Sequence, residues 1–173
     1  MRDSFQLIGD AMDSFTLWNM DIPMPDKYAE CVSAVKQIYP NHNVIPFDAK
    51  KYPGLTPRRA SDIERFKIMS ESKTELLYLD CDVSPTGLFS GSDFDLFFEN
   101  GQWLDIAAMY RSATSDGAIF RYLYDSVLSG YLRTKQDVIA GGYEWFHDII
   151  NKPDFFAHKI GAEYFNHGAF SSR

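Results

Sequence analysis

The sequence predicts an α/β fold built on a parallel sheet, and three observations predict it. Strand-like and helix-like patterns alternate through the first half of the chain, the arrangement that pairs parallel strands through crossover helices. One of those strands, "ELLYLD" at 75–80, carries a continuous apolar run, as expected of a strand covered on both faces. The chain has 173 residues, 45% hydrophobic and 24% charged, which reads as a single domain over 1–173 able to bury a core.

The elements follow in order. "SFTLWNM" (14–20) is rich in β-branched and aromatic residues and reads as a short strand, broken by Pro23 and Pro25. Residues 26–39 place Tyr28, Cys31, Val32, Val35 and Ile38 at helical spacing, and Pro40-Asn41 stops them. "NVIPFD" is the next strand, and Pro46 assigns it to an edge or an end. A helix follows through Glu71, with Thr56 able to cap and Pro57 suited to the first turn. The central strand "ELLYLD" (75–80) comes next. Beyond it, Asn100-Gly101 between two apolar runs signals a hairpin. "GAIFRYLYDSVLSG" reads as a helix stopping at Gly130. "QDVIAGGYEWFHDIIN" (136–151) reads as a second helix, weakened by Gly141-Gly142. The tail from Glu163 has no strong periodicity.

A net charge of -7 argues against general binding to a phosphate backbone. Arg58-Arg59 and Lys50-Lys51 are too small a patch to select nucleic acid and read as solvated loop. Cys31 and Cys81 make no disulfide framework and suggest reduced thiols in a cytoplasmic protein. No apolar run approaches the ~18 residues of a membrane span. The charged start "MRDSFQLIGDAMD" is a poor signal peptide. Aromatic residues reach 16%, which suits core packing and sites that stack flat rings alike.

The central strand ends in two carboxylates, Asp80 and Asp82. Ligands of open α/β sheets sit beyond the carboxyl ends of parallel strands. Strand alternation would send both acids one way and Cys81 the other. Paired carboxylates repel unless a cation compensates, and oxygen ligands suit Mg2+ or Mn2+. The other reading is a turn-forming Asp80 with a solvated Asp82. On the preceding helix Asp62 and Arg65 share a face. They form either an exposed ion pair of little value or a cleft lining in which Arg65 meets phosphate or sugar oxygens.

Together these residues carry a resemblance. "ASDIERFKIMSESKTELLYLDCDV" resembles the "SDxxRxxxL…GGxYLDxD" signature of DXD-containing glycosyltransferases of GT-A fold. The nearest groups are the capsular-polysaccharide and Och1-like sugar transferases, and more distantly the clostridial glucosylating toxins. "FTLWNM" and the segment that follows resemble the family's opening strand, helix and strand, so the likeness covers roughly 14–87. It implies a Rossmann-like, mixed, mainly parallel sheet flanked by helices, with a C-terminal helical part. It also implies Mn2+ (or Mg2+) and a nucleoside-diphosphate sugar donor, UDP ahead of GDP, with retention at the sugar carbon. By position Asp82 would be the main metal ligand. Asp80 would touch metal, ribose or sugar. Asp62 and Arg65 would orient the donor, and Trp18 would stack on the nucleobase or pack in the sheet.

"NHGAFSSR" resembles the family's "HHxxGSW" segment. It implies His167 as a further metal ligand, with Asn166 or Ser171 nearby. Two departures stand out: Ser72-Lys73-Thr74 replaces the paired glycines, and Arg173 replaces the terminal Trp. Glu99, Asp105 and Asp116 are downstream acids available as a catalytic carboxylate. The acceptor is open among glycan, lipid-linked sugar, protein and modified nucleic-acid base. Two other functions remain in view. "YLDCDVSPTG" also resembles the "hhhhDxDxT" motif of haloacid-dehalogenase-like phosphatases, with Asp80 as nucleophile. A transferase fold could also serve as a binding or assembly module without catalysis.

Overall fold

The computed structural model describes residues 12–101, 103–135 and 145–168. Its centre is a six-stranded sheet in the order β2-β1-β3-β6-β5-β7. The strands are β1 (Ser14–Asn19), β2 (His42–Phe47), β3 (Leu76–Leu79), β5 (Leu96–Asn100), β6 (Trp103–Arg111) and β7 (His158–Ile160). β1 runs parallel to β2 and β3, and β5 runs parallel to β7. β6 is antiparallel to both its neighbours, β3 and β5. β6 is thus the one strand of this sheet that runs against the rest, and the sheet is mixed but mainly parallel. A separate ribbon pairs β4 (Val83–Pro85) with β8 (Phe165–His167), antiparallel.

Strand alternation sorts the core into two layers. Phe15, Leu17, Tyr78, Phe97 and Met109 face the side covered by α2 (Pro57–Glu71), α3 (Ala118–Thr134) and α4 (Phe146–Ile150). Leu77, Leu79, Phe98, Ala108 and Tyr110 face the side covered by α1 (Asp26–Ile38) and the β4–β8 ribbon. Both faces of β3 are covered, which accounts for its unbroken apolar run. Pro46 lies in β2, the sheet edge, where its missing N–H disrupts no ladder. Thr56 accepts a hydrogen bond from the Arg59 N–H at 3.3 Å and Pro57 opens α2, so the helix begins where the sequence places it. The β5–β6 hairpin turns at Gly101, whose φ of 63° suits a residue without Cβ.

Three expectations need correction. α3 does not stop at Gly130 but runs on to Thr134 and ends at Lys135 in the left-handed conformation. Gly130 is buried, and the next residue, Tyr131, packs edge-on against Tyr52 and donates a hydrogen bond to the Pro53 carbonyl at 2.8 Å. Tertiary packing outweighs the low helix propensity of one glycine. The helix expected over 136–151 is not continuous: α4 covers Phe146–Ile150, and residues 136–144, the Gly141-Gly142 pair included, lie outside the described residues. Trp145 before α4 is extended. The tail, without periodicity in sequence, contains β8. Three residues are too short to show a pattern, and the pairing partner is remote in the chain.

Candidate active site

Asp80 leaves the carboxyl end of β3 and enters a turn closed by the Val83 N–H on the Asp80 carbonyl at 3.0 Å. The turn, not strand alternation, converges Asp80 and Asp82. Cys81, expected on the opposite side, borders a cavity with both acids. β4 follows at once and pairs with β8 so that Val83 lies opposite His167. That register delivers the imidazole next to Asp82. His167 Nε2 lies 3.4 Å from Asp82 Oδ1 and 3.6 Å from Asp80 Oδ2, and Nδ1 lies 3.8 Å from Asp105 Oδ2. One ligand atom from each of Asp80, Asp82 and His167 falls within 4.8 Å of the others. Two carboxylate oxygens and an imidazole nitrogen fit a divalent ion such as Mn2+, which accepts both kinds of donor.

The acids are held differently. Asp80 Oδ1 accepts from Arg65 Nη1 at 2.9 Å and from the Tyr78 hydroxyl. Its other oxygen is turned to His167. Arg65 is buried, and its guanidinium lies over the Tyr78 ring, with 4.4 Å from Cζ to the centroid. Its remaining N–H groups donate to the Ser61 hydroxyl at 3.0 Å and to the Ile106 carbonyl at 3.1 Å. Asp62 Oδ1 lies 3.3 Å from Arg65 Nη2. Asp62 Oδ2 accepts from the Trp145 indole at 3.1 Å and lies 3.8 Å from Arg59. The face shared by Asp62 and Arg65 is therefore a buried network.

The electrostatics follow from this placement. Burial raises the Asp62 pKa to about 6 against the opposing pull of Arg65 and Trp145. Burial also raises Asp80, with Arg65 and Tyr78 opposing. Asp82 feels burial too, but the hydrogen bond and charge of His167 prevail and its pKa is lowered. His167 is raised, first by its bond to Asp82 and against burial.

A break in the β5–β6 ladder shapes the floor. Phe97 pairs with Met109 but Phe98 with Asp105, so residues 106–108 bulge out of register. The bulge offers the Ile106 carbonyl to Arg65 and the Ala107 carbonyl to the Asp80 N–H at 2.8 Å. It also places Asp105 beside His167. Two cavities meet at this floor. One, of about 490 Å³, is walled by Leu17, Trp18, Ile22, Tyr28 and Phe47. The other, of about 380 Å³, is lined by Arg59, Asp62, Asp105 and Phe146. Arg58, Arg65, Asp80 and His167 border both.

All six residues singled out in the sequence meet here: Trp18, Asp62, Arg65, Asp80, Asp82 and His167. The Trp18 ring tilts against Tyr28 at 5.5 Å, and its indole N–H donates to the Ile22 carbonyl. Of the downstream acids, Asp105 arrives and two do not. Glu99 pairs with Lys159 at 3.0 Å, and Asp116 accepts from the Ala118 N–H where α3 begins. Asn166 is exposed in β8, and Ser171 lies outside the described residues. Arg58 and Arg59 are not a solvated loop but the first turn of α2, lining the cavities. Their position after the Thr56 cap and Pro57 was the available signal. Trp145 carried none, because its partner Asp62 is distant in sequence.

Among the described residues no helix is long and apolar enough to cross a membrane. No protein-family model and no curated protein matches the chain. Among solved structures, the chain is similar to a glycosyltransferase involved in the glycosylation of the major capsid of PBCV-1. The TM-score is 0.52 at 12% identity, over 88% of this chain and 82% of that one. The chain therefore shares its α/β architecture, of the GT-A-like kind expected from sequence, with a glycosyltransferase.

Proposed function

We propose that the protein is a metal-dependent glycosyltransferase that moves a sugar from a nucleoside-diphosphate sugar to an acceptor hydroxyl, with retention of configuration. The observation that carries this reading is the convergence of Asp80, Asp82 and His167 where an aromatic-walled cavity meets a charged one. The aromatic cavity has the lining expected of a nucleobase slot, with Trp18 and Tyr28 as its flat walls. The charged cavity then takes the sugar, and the diphosphate spans the junction.

Asp80, Asp82 and His167 would hold the Mn2+, Asp82 as the main ligand. The ion supplies charge neutralisation for the departing diphosphate. Arg65 and Tyr78 fix one oxygen of Asp80 and so aim the other into the cluster. Asp62 keeps unused lone pairs for sugar hydroxyls, while Trp145, Arg59 and Arg65 fix its plane. In the transfer, the bond from the sugar carbon to the diphosphate oxygen breaks and the bond to the acceptor oxygen forms. Retention is supported by the engagement of both acids on the sugar side. Asp62 accepts from the Trp145 indole and is ion-paired with Arg65 and Arg59, and Asp105 accepts from the Ile106 and Ala107 amides and faces His167. With both acids held by these partners among the described residues, the acceptor proton passes to the diphosphate oxygen as it leaves.

Calorimetric titration of UDP and of GDP, with and without Mn2+, tests the reading on wild type and Asp82→Asn. Binding of one diphosphate that needs Mn2+, and weakens at least about tenfold in Asp82→Asn, is expected from loss of a charged ligand. Metal-independent binding that ignores the substitution would sink it. NMR of the product of a sugar-nucleotide screen then reads the anomeric outcome.

A further inference from the structure

Arg58 is the cavity-lining guanidinium with donors to spare. Three arginines border the two cavities. Arg65 is saturated by Asp80, Asp62, Ser61 and Ile106. Arg59 is committed to Asp62 and to the Trp145 ring, 5.0 Å from its Cζ. The Arg58 side chain makes neither an ion pair nor a hydrogen bond among the described residues, and it borders both cavities. Its backbone is nonetheless fixed. Pro57 precedes it at the start of α2, and the Ser61 hydroxyl donates to its carbonyl at 2.7 Å. A free cation on a fixed stem thus lines both cavities together with Asp80 and His167, and its charge acts on Asp82. A carboxylate is not its partner. Asp82 is already matched by His167, and Asp62 and Asp80 by Arg65.

We infer that Arg58 binds the distal phosphate of the donor's diphosphate, adding a second cationic grip on the leaving group beside the metal ligands. This rests on the nucleotide-sugar reading and adds to it a residue whose target is one phosphate. The junction is where an occupant spanning both cavities carries its diphosphate. A guanidinium fork matches two phosphate oxygens in a way that a point charge does not. The charge growing on that phosphate as the sugar departs would strengthen the contact, so Arg58 favours the transition state over the ground state.

The test compares diphosphate with monophosphate. UDP and UMP, with GDP and GMP alongside, are titrated calorimetrically in Mn2+ into wild type, Arg58→Ala and Arg58→Lys. Thermal melts confirm that these exposed-site variants stay folded. Arg58→Ala is expected to weaken the diphosphate about 10- to 100-fold, the range for a lost charged hydrogen bond, and the monophosphate less than about threefold. Arg58→Lys should fall between, because it keeps the charge and loses the fork. Equal losses for both nucleotides, or a diphosphate affinity unchanged in Arg58→Ala, would overturn the role of Arg58 alone. A wild type that binds neither UDP nor GDP overturns the nucleotide-sugar reading and this inference with it.

Discussion

Arg65 contributes through saturation: every contact it makes fixes something else. It clamps one oxygen of Asp80, ties Asp62 to the same network and holds the bulge through Ile106. Lysine at this position keeps the charge but cannot reach these acceptors as a fork. Arg65→Lys is expected to lose about 2–4 kcal/mol of stability, near the cost of breaking a buried ion pair, read as a lower urea midpoint. A midpoint unchanged from wild type would show that the network is not structural. His42 sets an acid limit away from the site. It is buried at the start of β2 with Nδ1 2.8 Å from the Ser14 hydroxyl, and burial lowers its pKa to about 4. The unfolded chain takes up this proton near the ordinary value of about 6.5. The neutral ring therefore stabilises the fold fully above pH 6.5, and that stability is lost as pH falls toward 4. The loss at pH 4 is about 3 kcal/mol. Denaturation midpoints measured from pH 4 to 7.5 should be steeper in wild type than in His42→Gln.

At the scale of elements, the decisive piece is among the smallest. β8 has three residues, and its Phe165 is wholly buried against Phe89 and Tyr39. That anchor, with the pairing to β4, is what carries His167 to the acids. Phe165→Ala should cost about 3–5 kcal/mol and weaken Mn2+ binding together with stability. Retained metal affinity in a destabilised Phe165→Ala would mean that β8 does not position His167. The sequence made the elements with strong local signals legible: α1 by its helical spacing, α2 by its cap and proline, and β3 by its apolar run. It hid β4, β7 and β8, because strands of three residues owe their existence to partners elsewhere in the chain. The same asymmetry governs the site. Asp62, Arg65, Asp80 and Asp82 lie within one helix–strand unit and show as a pattern. Trp145 and Asp105 enter through tertiary placement. Asp105 was visible only as one of three downstream acids, and a bulge selects it from Glu99 and Asp116.

For the whole molecule, α2 and the bulged β6 hold one side of the site and the β4–β8 ribbon holds the other. A ligand bound between them favours the folded state over the unfolded one. With Mn2+ and the preferred nucleoside diphosphate each at about 100 times its Kd, the gain is near 2.7 kcal/mol per ligand if they bind independently. It should appear as a rise of several degrees in Tm that EDTA reverses. A Tm indifferent to metal and nucleotide would separate the site from the fold's stability and count against ligand binding there. The pairing of β4 with β8 also has a consequence for timing. During synthesis, Asp80 and Asp82 leave the ribosome long before His167, and β5, β6 and the helices that follow them are made in between. A nascent chain thus holds two mutually repelling acids without their imidazole until the last described strand pairs. The candidate metal centre would be among the latest features to form, so a growing chain would lack a complete site until its fold is closed.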